Sequence, residues 1–77
     1  MLIDAIKSRL SSEFPGCDID AQADGNHCHV RIVGEVFEGL RSVKRQQMVY
    51  AALNEWIADG SVHAVHMNLQ TPAEAQA

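Results

Sequence analysis

Residues 17–34, CDIDAQADGNHCHVRIVG, decide the fold. Cys17, Ile19, Ala21 and Ala23 alternate with Asp18, Asp20, Gln22 and Asp24, the period of two that marks a strand with one dry and one wet face. After Gly25-Asn26, Cys28, Val30 and Ile32 alternate in the same way with His27, His29 and Arg31. Gly-Asn is a two-residue hairpin signal, so the two runs are read as an antiparallel pair. That turn sets Asp24 opposite His27, Ala23 opposite Cys28, Ala21 opposite Val30, Ile19 opposite Ile32 and Cys17 opposite Gly34, which puts the apolar sets on one face. Cys17 and Cys28 then lie about six residues apart along the strand axis, roughly 20 Å, whereas a disulfide spans at most about 7 Å between Cα atoms. Both are read as thiols.

Upstream, Ile3, Ile6 and Leu10 recur at steps of three and four with Leu2 beside them, one apolar stripe of a helix that ends near Glu13 at Pro15-Gly16. Downstream, Gly34 to Leu40 is a connection with Phe37 as a core anchor, and Ser42 is read as the cap of a long helix. Within that helix Val49, Ala52, Leu53 and Trp56 fall at i, i+3, i+4 and i+7, and Val43 and Ile57 extend the stripe to about Ala58, before Asp59-Gly60. Val65, Met67 and Leu69 then alternate with His66, Asn68 and Gln70, which predicts a third strand from about Val62 to Thr71, stopped at Pro72. Ala73 to Ala77 is expected to have nothing to pack against and to fray. A strand, a crossover helix and a further strand form a right-handed parallel unit, so the third strand is expected parallel to the second. Parallel neighbours start at the same sheet edge, which brings His63 near His27, Cys28 and His29.

The chain of 77 residues has room for one hydrophobic core, read as a single domain over 1–77 with its core in 1–72. Its 47% hydrophobic and 21% charged residues belong to a globular chain rather than a disordered one. A net charge of -4 is the wrong sign for coating nucleic acid through counterion release. No apolar run approaches the roughly 20 residues of a membrane span, and MLIDAIKSRL lacks the features of a signal peptide, so a cytoplasmic location is expected.

Imidazole and thiolate are the usual ligands of zinc, copper and iron-sulfur iron, which makes the gathering of histidines and Cys28 at one sheet edge the most informative feature. His29 and His66 have the wet parity of their strands and read as solvent-facing. Cys28 has core parity and reads as a small buried hydrophobe. His63 shares the parity of Val65 but stands at the first turn after a helix end, so both a structural and a ligand role stay open. His27 beside the turn is exposed. No pair has zinc-finger or CxxC spacing, and this incomplete set suggests a site completed by a partner. A second anomaly is Arg41, Lys44 and Arg45 in the first turn of the long helix, where the macrodipole favours acidic residues; they read either as a solvated basic face of an otherwise acidic protein or as a surface for an acidic partner or a phosphate. No glycine-rich phosphate loop, nucleophile elbow or HExxH is found, so the chain is not expected to be an enzyme.

The runs FEGLRSVKRQQMVYAAL (37–53) and VHAVHMNLQTPAE (62–74) resemble the BolA-like family, and KRQQ in place of an RHR-type run is similar to its acid-inducible IbaG (YrbA) branch. The resemblance implies an α+β, class II KH-like αββααβ fold, with a three-stranded mixed sheet covered by helices on one face. Where the family often breaks the crossover helix, YAALNEW contains no glycine or proline, and a nearly continuous helix is expected. The resemblance also implies a non-catalytic partner of monothiol glutaredoxins of the CGFS type, sharing a 2Fe-2S cluster with them. The partner's cysteine and a glutathione thiolate hold one iron, and the histidine of the VHA motif, His63, is a ligand on this side. The second ligand, His or Cys across the family, matches His27 most closely, with Cys28 and His29 as alternatives. No cofactor is expected in the isolated chain, which is read as a monomer or weak homodimer. A small DNA-binding regulator of stress and cell-envelope genes, using Arg41, Lys44 and Arg45, is the other function the family suggests, although the GxxG loop of KH domains is absent. Three departures stand out: Cys28 where the family is usually aromatic, Arg41-Ser42 in reversed order, and Ala75 where a Trp usually follows TPAE.

Overall fold

The computed structural model describes residues 2–25 and 27–76. Helix α1 (Leu2–Glu13) leads into strand β1 (Asp18–Asp24) and strand β2 (His27–Val33), followed by a 3-10 turn over Glu35–Phe37, helix α2 (Ser42–Ala58), strand β3 (Ala64–Gln70) and helix α3 (Pro72–Gln76). The sheet order is β1-β2-β3. β1 and β2 pair antiparallel in the register read from the sequence, Ala21 against Val30 and Asp24 against His27. Of the hairpin turn, Gly25 has a φ of 60°, and Asn26 lies outside the described residues. β3 runs parallel to β2, with His27 against Ala64 and Ile32 against Leu69. The α+β class and the mixed sheet are as expected, and the crossover helix is continuous over 17 residues.

Every wet-parity position of β1 is exposed, while Ala21, Cys28, Val30 and Ile32 are buried beneath the helices. Both long helices therefore cover one face and leave the other open. α1 supplies Ile6 and Leu10 to this core, and α2 supplies Val49, Ala52 and Leu53. Phe14, one helical turn beyond Leu10 on the same stripe, closes the bottom against Phe37, with ring centroids 5.9 Å apart. Arg9 joins the two helices: its guanidinium donates to the Ala52 carbonyl at 3.2 Å, pairs with Glu55 and lies 4.8 Å from the Trp56 ring centre.

Four local expectations are corrected. Ser42 is the first residue of α2 rather than its cap; Arg41 holds the cap position with extended backbone and no side-chain capping bond. Val43 does not extend the buried stripe, being 65% exposed. At 100° per residue it lies about 120° from Val49, whereas Arg45 lies only about 40° from it and takes the inward position. β3 begins at Ala64 and ends at Gln70, shorter at both ends than the Val62–Thr71 span. The tail does not fray over its described part. Thr71 and Glu74 form a capping box, the Glu74 N–H donating to Thr71 Oγ1 at 3.2 Å and the Thr71 N–H to Glu74 Oε1 at 2.8 Å. Pro72 suits the first helical position, where its missing N–H is no loss. Ala77 lies outside the described residues.

Candidate functional site

The C-terminal turn of α2 fixes where β3 starts. Gly60, with a φ of 82°, reverses the chain in a conformation that L residues rarely adopt. The Val62 N–H then donates to the Trp56 carbonyl at 3.1 Å, and the Val62 side chain is buried. His63 follows this anchor at once and is exposed; its Nε2 lies 3.9 Å from where a Cβ on Gly60 would stand. Because β3 is parallel to β2 with Ala64 opposite His27, residues 63 and 27 occupy neighbouring positions at one end of the sheet. Adjacent strands lie about 4.8 Å apart.

The four candidate ligands separate on this frame. Cys28 faces the core at 2% exposure, and burial pushes its thiol pKa up, so it presents no thiolate at the sheet edge. His27 and His29 project onto the open face, where His66 lies between them in the stack. His27 Nδ1 is 3.2 Å from His66 Nε2, and ring centroids are 5.4 Å apart for His27 and His66 and 4.7 Å for His29 and His66. The gathered histidines are thus His27, His29 and His66 on the face, with His63 one position away against the α2 turn. His66 is the member that reading the edge alone passes over. Its signal is the strand parity: a parallel β3 puts its wet-face histidine in register with His29.

The basic cluster divides as well. Arg41 and Lys44 are exposed. Arg45, read from the sequence as part of the same surface, is turned inward with its side chain 13% exposed. Its Nε donates to the Leu40 carbonyl at 2.9 Å, its Nη1 to the Leu69 carbonyl at 3.0 Å, and it pairs with Glu74 at 2.7 Å. Its guanidinium also lies 5.8 Å from the Phe37 ring centre. The basic residue that opposes the helix dipole therefore has an internal role, tying the α2 start to β3 and α3.

The family model for BolA-like proteins matches residues 7–74. The chain belongs to the BolA-like family. Among BolA-like relatives, it is 44% identical over 69 residues to the acid stress protein IbaG of Escherichia coli K12, covering 90% of this chain and 82% of that protein. It is 43% identical to an uncharacterized protein of the rpoN-murA intergenic region of Acinetobacter guillouiae, over 84% of this chain and 78% of that one. BolA1 from Arabidopsis thaliana superposes with a TM-score of 0.83 at 29% identity, covering 94% of this chain and 93% of that structure. The BolA domain of SufE1 from the same plant superposes with a TM-score of 0.84 at 26% identity, covering 92% of each chain. The BolA fold is therefore common ground, and the histidine stack, the buried Cys28 and the Arg45–Glu74 tie are how this member fills it.

Proposed function

We propose that this protein is a non-catalytic BolA-like adaptor that joins a monothiol CGFS glutaredoxin and shares a 2Fe-2S cluster with it, in iron-sulfur trafficking or iron and acid-stress signalling. His63 is the iron ligand from this chain and His27 the second. The observation that carries the reading is the parallel register that puts these two residues at neighbouring positions on one exposed end of the sheet. Imidazole ligation of one iron fits the donors available there, and the burial of Cys28 leaves histidine as the chemistry of this side. When bound, the cluster supplies redox-active, exchangeable iron; this chain supplies nitrogen donors and the surface around them. Imidazole must be deprotonated to bind iron, so the shared cluster weakens in acid, in keeping with the acid-stress name of the Escherichia coli relative.

DNA-binding regulation draws less support. Arg45 is committed to internal acceptors, which leaves Arg41 and Lys44 on a chain of net charge -4.

The test is anaerobic cluster reconstitution of this protein with a CGFS glutaredoxin and glutathione, read by visible circular dichroism. The expected spectrum differs from that of the glutaredoxin homodimer and is lost in His63→Ala, weakened in His27→Ala and kept in Cys28→Ala. A spectrum identical to that of glutaredoxin alone overturns the reading.

A further inference from the structure

The open face of the sheet carries a histidine stack that the cluster reading leaves unused except for His27. We propose that His27 and His66, with His29 beside them, form a site for a divalent transition-metal ion of the zinc, copper or nickel class on this face, a site that shares His27 with the cluster reading and does not use His63.

The spacing is the first argument. Two imidazole nitrogens bound about 2.0–2.1 Å from one tetrahedral zinc ion lie roughly 3.3–3.4 Å apart. His27 Nδ1 and His66 Nε2 are 3.2 Å apart. That is hydrogen-bond distance, with the ring tautomers setting which nitrogen donates. A small rotation of each ring about χ2, a broad and soft torsion, aims both lone pairs at a common ion, and the proton of that hydrogen bond leaves to water.

The scaffold is the second argument. The three histidines project from central strand β2 and its parallel neighbour β3, with His29 directly in register with His66. His29 stacks on His66 at an interplanar angle of 15°, which restrains the middle ring and keeps a third imidazole within one ring's reach. Regular strands hold such donors more tightly than loops do. Charge is the third. Asp24 is paired with His27 and Asp20 with Arg31 across the β1–β2 ladder, and both aspartates have the exposed parity of this face. Imidazole suits zinc, copper and nickel, whereas magnesium and calcium demand oxygen ligands, and this sets the metal class.

Among the described residues, no three or more His, Cys, Asp or Glu side chains already converge to hold an ion. The site is accordingly a two-imidazole one with water in its open positions and His29 able to turn in, which gives affinity in the micromolar range rather than a structural zinc centre.

The experiment uses the untagged full chain without glutaredoxin, glutathione or iron. Zn2+ is titrated in competition with a chromophoric chelator, and long-range 1H–15N correlation spectra report which imidazole nitrogens bind. The expected result is one ion per chain, with the largest nitrogen shifts at His27 Nδ1 and His66 Nε2. His66→Gln and His27→Ala should each lower affinity by about tenfold or more, and His29→Ala by less. His63→Ala and Cys28→Ala should bind as the wild type does. All of these positions except Cys28 are exposed, so the fold tolerates them, and the nitrogen shifts of the wild type do not depend on any variant. No binding at micromolar Zn2+, binding that survives His66→Gln, or binding lost in His63→Ala overturns the proposal. Because no cluster is involved, failure here leaves the glutaredoxin reading standing, and failure of that reading leaves this site standing.

Discussion

Arg45 and Glu74, 29 residues apart in sequence, meet in a two-pronged ion pair, Nη1 donating to Oε1 at 2.7 Å and Nη2 to Oε2 at 3.2 Å. The same Oε1 accepts the Thr71 N–H. The Arg45 hydrogen bond first, and the Thr71 backbone bond second, hold the Glu74 carboxyl down to about 2. A carboxylate whose pKa is depressed by folding stabilises the folded form above its unfolded pKa, and that contribution fades as pH falls through the folded value. The contribution of Glu74 to the docking of α3 should therefore be complete above pH 4.5, weaken progressively below it and be lost near pH 2. Hydrogen exchange at the Ala75 amide, which donates to the Thr71 carbonyl at 3.0 Å, reads this directly. Glu74→Gln and Arg45→Ala should each speed that exchange at neutral pH while β2 amides stay protected. Unchanged exchange in both variants would show that the ion pair does not hold the helix.

Gly34 is buried with extended backbone at φ -168°, so conformational freedom is not what it supplies. Its lack of a side chain is. A Cβ there would overlap the Cys17 sulfur and lie 3.1 Å from the Cys17 Cβ. Gly34→Ala should destabilise the protein by about 1–3 kcal/mol, the usual cost of overpacking. Cys17→Ala removes the sulfur, and the double variant should recover most of the loss. Urea denaturation of the four proteins in the cycle measures the coupling, and additive single effects would refute it.

The two thiols should react at different rates. Burial raises both pKa values, but Cys28 is 2% exposed while Cys17 is only half-buried. Iodoacetamide followed by mass spectrometry should find Cys17 modified first and Cys28 only at the rate at which the domain opens. Equal rates would mean that Cys28 does not face the core.

Arg9 combines a hydrogen bond to a helix carbonyl, an ion pair and a ring contact at the α1–α2 seam. Its half-exposed position keeps the ion pair weak, so the ring and alkyl packing dominate. Arg9→Ala should cost about 1 kcal/mol, and Arg9→Met, which keeps the stem, should cost less. Thermal melts of the two variants that reversed this order would assign the effect to charge.

The fold was legible because its decisive signals are local. Alternation at period two over residues 17–34, a Gly-Asn turn and one long helical stripe leave a single register and a single crossover hand, since a slip of one residue would expose the whole apolar set. The neighbourhood of His27 and His63 followed from the same rules. What the tertiary structure alone decided are contacts between residues far apart in sequence whose own patterns are neutral. Arg45 looks like surface charge until β3 and α3 bring it acceptors at Leu69 and Glu74. The tail looks unanchored until the Thr71–Glu74 box meets that same guanidinium. His66 reads as a lone wet-face residue until the parallel ladder sets it against His29 and its ring nitrogen meets His27. Periodicity tells which face a side chain takes, because that depends on its own backbone; which partner it finds there depends on the registration of separate strands and helices, and only packing sets that.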